Sequence, residues 1–176
     1  MRVVAGELRG RQINAPKGKK TRPTTDKARE ATFNALGSIN AVIGARVLDA
    51  FAGSGALGIE ALSRGAVHCT FIERDREALE ALRENIATLG LADRSTVIRG
   101  DALVYANTVP EATLILADPP YEFASWPELL DCARAALVVA ESNRELEAEI
   151  AQCADWQVVR SKRYGRAYVS FIQRIA

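Results

Sequence analysis

From Arg46 to the C-terminus, short apolar segments of strand character alternate with longer segments that have the periodicity of helices. In one helical segment, Leu79, Leu82 and Ile86 recur at helical spacing, and Gly90 follows as a helix-ending residue. Strands that alternate with helices form a mostly parallel sheet with helices on both faces. This alternation restricts the fold more than any other feature of the sequence. It predicts a three-layer, doubly wound, Rossmann-like α/β domain.

Seven strands and six helices follow from this pattern. The predicted strands are 46–51, 67–73, 95–100, 113–118, 136–141, 156–162 and 167–173. The predicted helices are 24–36, 56–65, 75–90, a short one from Asp101, 125–135 and 143–152. The last two strands read as an antiparallel hairpin at one edge of the sheet. Residues 2–16 have β-branched side chains interrupted by glycines, which predicts a small, irregular N-terminal β-hairpin.

Length and composition exclude several classes of protein. At 176 residues, one main domain is expected, and there is no apolar run of about 18 residues that would suggest a membrane span. The three cysteines, Cys69, Cys132 and Cys153, are scattered and lack the spacing of metal ligands. We therefore expect a cytoplasmic protein with free thiols, without a metal or a membrane partner, and most simply a monomer.

The net charge of +1 conceals a strong asymmetry along the chain. Residues 1–30 contain nine basic and three acidic residues, and residues 154–176 contain five basic residues and one acidic residue. The intervening segment contains nine basic and eighteen acidic residues. Two basic ends on an acidic body favour a polyanionic partner. The residues predicted to bind nucleic acid are Arg2, Arg9, Arg11, Lys17, Lys19, Lys20 and Arg22.

Four acidic residues, Asp49, Glu73, Asp101 and Asp118, lie at or just beyond the ends of predicted strands. Ligands of such folds bind beyond the carboxyl ends of the strands. One aspartate there would be an ordinary turn residue, since Asp often begins a turn. Four carboxylates along one rim repel one another unless a ligand or hydrogen-bond donors use them. The pattern therefore predicts a ligand site at this rim.

A glycine-rich loop follows the first of these strands. Gly53, Gly55 and Gly58 form a GxGxxG pattern between a predicted strand and a predicted helix, and Glu73 follows 20 residues after Gly53. This register suits a nucleoside ligand whose ribose hydroxyls bind the glutamate. Asp49 would repel a pyrophosphate, whereas it would attract a ligand with a cationic centre. S-adenosylmethionine has such a centre and no phosphate.

Several motifs resemble one enzyme family. The segment "VLDAFAGSGALGIEALSRGA" resembles the first motif of class I S-adenosylmethionine methyltransferases, and "DPPY" is similar to the motif of enzymes that methylate exocyclic amines of nucleobases. The segments "TRPTTDKAREATFNAL" and "KRYGRAYVSFIQR" are similar to the bacterial RsmD family, and the resemblance covers nearly the whole chain. That family methylates a guanine N2 in 16S ribosomal RNA. The resemblance implies an RNA-binding extension over residues 1–24 and a class I methyltransferase domain over residues 25–176.

The resemblance also implies site residues. Gly53 and Gly55 would line the methionine part of the cofactor, Asp49 its ammonium group, Glu73 the ribose and Asp101 the adenine amine. Arg29 could contact the carboxylate of the cofactor or simply be a surface helix residue. The residues implied for cofactor binding are Asp49, Phe51, Gly53, Ser54, Gly55, Glu73, Arg74, Asp101, Ala102 and Arg29.

The segment from Asp118 to Tyr121 predicts the catalytic chemistry. Two prolines restrict the backbone, so the Asp118 carboxylate and an adjacent carbonyl, that of Pro119, are held in fixed positions. Two fixed acceptors can hold both protons of an aromatic amine while its nitrogen attacks a methyl group. Tyr121 offers a ring on which a flipped base can stack. The predicted catalytic residues are Asp118, Pro119, Pro120 and Tyr121.

Other functions are compatible with parts of this pattern. A DNA or RNA adenine-N6 methyltransferase would share the DPPY motif, although the small size leaves no room for a DNA-recognition domain. A nicotinamide-dependent reductase would share GxGxxG but would leave Asp49 and DPPY unexplained. A catalytically idle RNA-binding module would not need the four acidic residues.

Overall fold

A seven-stranded sheet forms the centre of the computed structural model, which describes residues 1–16 and 26–175. The strands are β1 (Arg46–Asp49), β2 (His68–Glu73), β3 (Ser95–Arg99), β4 (Leu114–Ala117), β5 (Leu137–Ser142), β6 (Trp156–Tyr164) and β7 (Ala167–Arg174). Their order across the sheet is β3-β2-β1-β4-β5-β7-β6. Strands β1 to β5 are parallel, and β7 is antiparallel to both β5 and β6. The predicted Rossmann-like sheet with an antiparallel C-terminal hairpin is confirmed.

Helices cover both faces of this sheet. They are α1 (Asp26–Ser38), α2 (Ala56–Ser63), α3 (Arg76–Thr88), α4 (Ala102–Tyr105), α5 (Trp126–Cys132) and α6 (Glu147–Ile150), with 3-10 turns at 92–94 and 106–108. One apolar core contains Phe33, Leu62 and Leu82, and the other contains Trp126 and Leu129. Among the described residues, no helix is both long enough and apolar enough to cross a membrane.

The observed helices differ from their predicted extents, and α2, α3 and α5 end two or three residues earlier than predicted. The first two residues of the helix predicted over 24–36 lie outside the described residues, and α1 continues to Ser38. The helix predicted over 143–152 is reduced to Glu147–Ile150. The Ser142 hydroxyl donates to the Arg144 carbonyl at 2.5 Å, so a local side-chain bond replaces a helical bond. Residues 143–146 therefore form a bend and a connection instead of the first turn of α6.

Glycine allows α2 to lie close to the sheet. A Cβ on Gly58 would lie 2.3 Å from the Phe71 ring of β2 and 2.6 Å from the Cys69 sulfur, so no larger residue fits there. The backbone amide of Gly58 also donates to Asp49 Oδ2 at 2.9 Å. The end of β1 and the first turn of α2 are thereby fixed to each other.

The described N-terminal segment packs into the same core as the sheet. Val3 and Ile13 are buried in the first apolar core, and a single antiparallel bridge joins Arg2 to Gln12, as expected for an irregular hairpin. Gly6 has φ +85°, and a Cβ there would lie 1.9 Å from the Ser63 carbonyl oxygen. The bend of this hairpin therefore contacts the C-terminal end of α2.

A buried glutamate on α2 anchors the N-terminal segment. Glu60 accepts the Val4 amide at 2.8 Å on Oε2, and its Oε1 accepts the Ala5 amide at 3.0 Å and Arg64 Nε at 2.7 Å. Arg29 of α1 lies with its Nε 3.6 Å from Glu60 Oε2, and both side chains are fully buried. Helices α1 and α2 and the N-terminal segment therefore meet at one charged cluster.

Glu60→Ala should destabilise the fold by about 3–5 kcal/mol, because it leaves two backbone amides without an acceptor and leaves the buried Arg29 with only the exposed carboxylate of Asp26. Urea denaturation measures this change. The control is Glu80→Ala, which removes an exposed carboxylate 3.1 Å from Arg76 and should cost less than about 1 kcal/mol. Similar losses for the two variants would contradict the anchoring role of Glu60.

Candidate active site

A cleft of about 990 Å³ opens at the rim where the parallel strands end. Its walls come from the segments that follow β1, β2, β3 and β4, because parallel strands bring their carboxyl ends to the same edge. The lining residues with polar or acidic groups include Glu73, Arg74, Asp75, Asp101, Asp118, Glu122 and Ser125. The lining also includes Pro16, Phe51, Gly53, Ala102, Pro119, Pro120 and Phe123. Three of the four predicted rim carboxylates thus share one cleft.

Backbone amides hold the Glu73 carboxylate in place. Its Oε2 accepts the Gly53 amide at 2.7 Å, and its Oε1 accepts the amides of Arg74 and Asp75 at 2.8 Å each. A carboxylate has about four acceptor positions, so these three bonds leave room for one more donor. The bond to Gly53 also ties the glycine loop after β1 to the end of β2.

Asp101 begins α4 and contacts a neighbouring cation. Its Oδ1 accepts the Leu103 amide at 2.9 Å, which is the bond of a helix N-cap. Its Oδ2 lies 3.4 Å from Arg74 Nη1, and this arginine side chain is 71% exposed, so the pair is weak. Ala102 is buried beside them and lines the cleft.

Asp49 lies beneath the cleft and does not line it. The side chain is buried, Oδ2 accepts the Gly58 amide, and Oδ1 has no hydrogen-bond partner among the described residues. The pKa of Asp49 is raised from 3.8 to about 7: burial is the largest cause and the nearby charge of Glu73 adds to it, while the backbone amides of Gly58 and Phe51 act in the opposite direction. The carboxyl thus titrates near neutral pH, so a nearby cation would favour its ionised form.

The DPPY segment forms one wall of the cleft. Asp118, Pro119 and Pro120 line it, and the Phe123 amide donates to the Pro120 carbonyl at 2.9 Å. The Pro120 carbonyl is therefore engaged in a turn, and the Pro119 carbonyl is the backbone acceptor next to Asp118. Tyr121 is half-buried and does not line the cleft in this structure.

An aromatic wall formed by Phe51 and Phe123 lines part of the cleft, and only Phe51 was predicted from the sequence. Phe51 and Phe123 pack edge to face with ring centroids 5.1 Å apart, and Phe123 packs on the buried Trp126 at 5.0 Å. Phe123 was not predicted as a site residue. Its position two residues after Tyr121 in "DPPYEF" was the available signal, but spacing alone does not say which of two rings faces the cleft.

Other predicted cofactor residues lie outside the lining. Ser54 is buried, and its carbonyl accepts Asn85 Nδ2 at 3.0 Å. Gly55 is the N-cap of α2 with φ +88°, a conformation that glycine adopts without strain. Arg29 donates to the Arg2 carbonyl and to Asp26 in the cluster around Glu60. Ser54, Gly55 and Arg29 therefore support the fold through their contacts, and none of them lines the cleft.

The predicted nucleic-acid residues fall into two groups. Arg2 donates to the Gly10 carbonyl, Arg11 donates to the Thr88 carbonyl, and Arg9 lies in the bend between them. Thr88 ends α3, so this bend lies at the opposite end of the sheet from the cleft. Lys17, Lys19, Lys20 and Arg22 lie outside the described residues, directly after Pro16, which lines the cleft.

No group of three or more His, Cys, Asp or Glu side chains within residues 1–16 and 26–175 is arranged to hold a metal ion. The three cysteines are free thiols, and burial raises the pKa of Cys69 well above its usual range.

The comparisons with known proteins identify the family. The family model described as "Conserved hypothetical protein 95" matches residues 1–173. "Ribosomal RNA small subunit methyltransferase D" of Escherichia coli K12 is 35% identical over 100% of this chain and 91% of its own. The chain belongs to the RsmD family of methyltransferases. A further relative of this RsmD-family chain, "Putative rRNA methyltransferase YlbH" of Bacillus subtilis, is 38% identical over 99% of each chain.

A solved structure supports the same assignment. "Putative methyltransferase yhhF from Escherichia coli" superposes with a TM-score of 0.81 and 33% identity, covering 100% of this chain and 98% of that one. The likeness of this RsmD-family chain to that structure thus covers nearly the whole length of both chains.

Asp49→Asn should remove a pH dependence of stability. The Asp49 carboxyl keeps its proton up to about pH 7 in the folded protein but only up to about pH 3.8 in the unfolded chain. The protonated carboxyl therefore contributes its full stabilisation of the fold below pH 3.8, and this stabilisation is lost as the pH rises to about 7. The variant should therefore gain stability over wild type as pH rises from 4 to 8, on the order of 3–4 kcal/mol.

Urea denaturation at pH 4, 6 and 8 tests this expectation for Asp49. The same substitution at exposed Asp93 serves as the control. A difference between wild type and Asp49→Asn that stays constant with pH would contradict the neutral titration of this carboxyl.

Proposed function

We propose that the chain methylates the exocyclic N2 amine of a guanine in 16S ribosomal RNA, with S-adenosylmethionine as the methyl donor. The observation that carries the proposal is the shared cleft. Glu73 and Asp101, which suit a nucleoside, open on the same space as Asp118 and the Pro119 carbonyl, which suit an amine. The names of its relatives support ribosomal RNA of the small subunit as the substrate.

The residues around the cleft fit a cationic nucleoside. Asp49 has a raised pKa and a buried oxygen that has no hydrogen-bond partner among the described residues. A positive charge nearby would stabilise the ionised carboxylate and lower this pKa. Glu73 has one acceptor position left for a ribose hydroxyl. Asp101 and Ala102 would face the adenine, and Gly53 would lie against the methionine part. S-adenosylmethionine would supply an electrophilic methyl group and leave as S-adenosylhomocysteine.

Glu73→Ala should weaken the binding of S-adenosylhomocysteine by about 10- to 100-fold, the equivalent of losing one charge-assisted hydrogen bond of about 1.5–3 kcal/mol. Isothermal titration calorimetry measures this affinity. Glu77→Ala, which removes a nearby exposed carboxylate from the first turn of α3, should bind as wild type does. An unchanged affinity for Glu73→Ala would exclude Glu73 from the cofactor site.

Asp118 and the Pro119 carbonyl would act on the target amine. The lone pair of an aromatic amine is delocalised, so the nitrogen reacts only when its two protons are held and it can become pyramidal. The carboxylate and the carbonyl would each accept a hydrogen bond from one N–H group of the amine while the nitrogen forms a bond to the methyl group that the sulfonium supplies. The electron pair of the broken S–C bond would remain on sulfur, and the alkylated nitrogen would lose one proton to Asp118, which would pass it to water. Fixed acceptors stabilise the charge that develops on nitrogen.

Asp118→Ala should lower kcat by about 10²–10³-fold, since one positioned group at a developing charge contributes roughly 3–4 kcal/mol. Cofactor affinity should stay within about threefold of wild type, which separates Asp118 from Glu73. The control is Glu122→Ala, which removes another carboxylate from the cleft and should keep most of the activity. The Asp118 carboxylate and the Pro119 carbonyl together are called the amine clamp. Retention of most of the turnover number by Asp118→Ala would exclude this clamp.

The aromatic wall and the basic residues that follow Pro16 in the sequence would receive the RNA. Phe51 and Phe123 offer rings beside the clamp, and Tyr121 remains a predicted stacking residue. Lys17, Lys19, Lys20 and Arg22 follow Pro16 at the cleft and are proposed to contact phosphates. The bond pattern of Arg2 and Arg11 instead favours a structural role for these two.

Methyl transfer to deproteinised 16S ribosomal RNA, to isolated small subunits and to DNA, followed by nucleoside mass analysis, tests the proposed function. N2-methylguanosine in ribosomal RNA or in the small subunit is the expected product. N6-methyladenine would identify the alternative methyltransferase, and turnover of NADH without methyl transfer would identify a reductase. The expected substrate and the three free thiols agree with a cytoplasmic enzyme.

A further inference from the structure

The β6–β7 hairpin projects from the same rim as the cleft. Strand β6 runs in the direction of β4 and β5, because β7 is antiparallel to both of its neighbours. Ala117 pairs with Ala140, Ala140 with Ser170, and Ser170 with Ser161, so these four residues form one row across the sheet. Lys162 and Asp118 each come one residue later on parallel strands and therefore lie level with each other. With strands about 4.8 Å apart, β6 is roughly 14 Å from β4. The hairpin tip is therefore beside the proposed target site and not at the far end of the sheet.

The tip of this hairpin, residues 160–168, is a dense patch of positive charge. Arg160, Lys162, Arg163 and Arg166 are exposed, and residues 156–174 contain no Asp or Glu. Among the described residues, none of these four cations has a carboxylate within 4.0 Å, whereas Arg174 at the other end of β7 pairs with Asp155. The charge of the tip is thus available to an anion.

Aromatic rings support these cations. Lys162 Nζ lies 5.4 Å from the centroid of Tyr164, and the Arg163 guanidinium lies 5.6 Å from that of Tyr168. Arg163 Nε also donates to the Gly165 carbonyl at 2.8 Å. Neighbouring residues of a strand point to opposite faces, so Lys162 and Arg163 present charge on both sides of the tip. These contacts order the side chains without neutralising them.

We propose that the hairpin tip, residues 160–168, binds phosphates of the RNA strand that flanks the target nucleotide. This inference rests on the proposed function. The segment from residue 31 to 153 has twice as many acidic as basic residues, so its field repels a polyanion that must reach the cleft. The tip offsets this repulsion on a strand three spacings, or about 14 Å, from Asp118. An RNA backbone fits this surface because its charge is regularly spaced and its binding does not require an apolar contact.

The test compares two charge-matched double variants with wild type. Arg163→Gln/Arg166→Gln removes two cations from the tip, and Arg83→Gln/Arg134→Gln removes two exposed cations from α3 and from the loop before β5. Binding to deproteinised 16S ribosomal RNA and to small subunits is measured at several salt concentrations. Methyl-transfer kinetics, calorimetry with S-adenosylhomocysteine and thermal denaturation complete the comparison.

The tip variant should bind RNA about 10-fold more weakly at low salt. The magnitude of its log–log salt slope should fall by about 1.4–1.8, which corresponds to two lost phosphate contacts. Its KM for RNA should rise while kcat at saturating RNA, cofactor affinity and melting temperature match the control variant. This split would not arise from a merely structural role of the hairpin.

Three other outcomes would overturn the inference. RNA binding by the tip variant equal to that of the control would show that phosphates are held elsewhere. Weaker binding to small subunits with unchanged binding to naked RNA would assign the tip to a ribosomal protein. Failure of the wild-type protein to bind or methylate either substrate would overturn the proposed function together with the inference, and this result is distinct from failure of the tip variant alone.

Discussion

The parallel direction of β1 to β5 is the constraint on which the rest of the structure depends. It brings the residues that follow each strand to one rim, and in this chain four of those positions carry carboxylates. Burial is the main cause of the raised pKa of Asp49, and the charge of Glu73 adds to it, as expected for like charges at close range. The rim is stable because backbone amides compensate its charge.

Those amides come from turns that also build the cleft. Gly53, Arg74 and Asp75 donate to Glu73, and Leu103 donates to Asp101. Each carboxylate is thereby oriented before a ligand arrives, so little ordering is left for binding to achieve. The bond from Gly53 to Glu73 also couples the glycine loop to β2, so the shape of the cleft depends on the local fold.

The opposite end of the molecule is stabilised by a different device. Glu60 and Arg29 form a buried charged cluster that holds the N-terminal segment against α1 and α2. This attachment directs the chain from its bend near the C-terminal ends of α2 and α3 up to Pro16 at the cleft. The basic residues that follow in the sequence therefore come directly after a residue that lines the cleft, and the β6–β7 hairpin reaches the rim of this cleft from the other side.

The sequence by itself determined the order and type of the elements, because helical and strand periodicities are local properties that a buried face imposes on each segment. It also determined that Glu73, Asp101 and Asp118 share a site, since parallel strands leave no other arrangement. Phe123 and not Tyr121 lines the cleft, however, because the turn closed by the Phe123 amide and the Pro120 carbonyl sets the direction of each ring.

The partners of buried charges were likewise decided only by the tertiary structure. Arg29 resembled a cofactor contact or a surface residue, but packing of α1 on α2 places it against Glu60, 31 residues away in sequence. The sequence predicted a basic C-terminal hairpin that could hold the substrate, but only the register of β6 and β7 places its tip beside the cleft. Such pairings depend on which distant segments meet, and no local pattern contains that information.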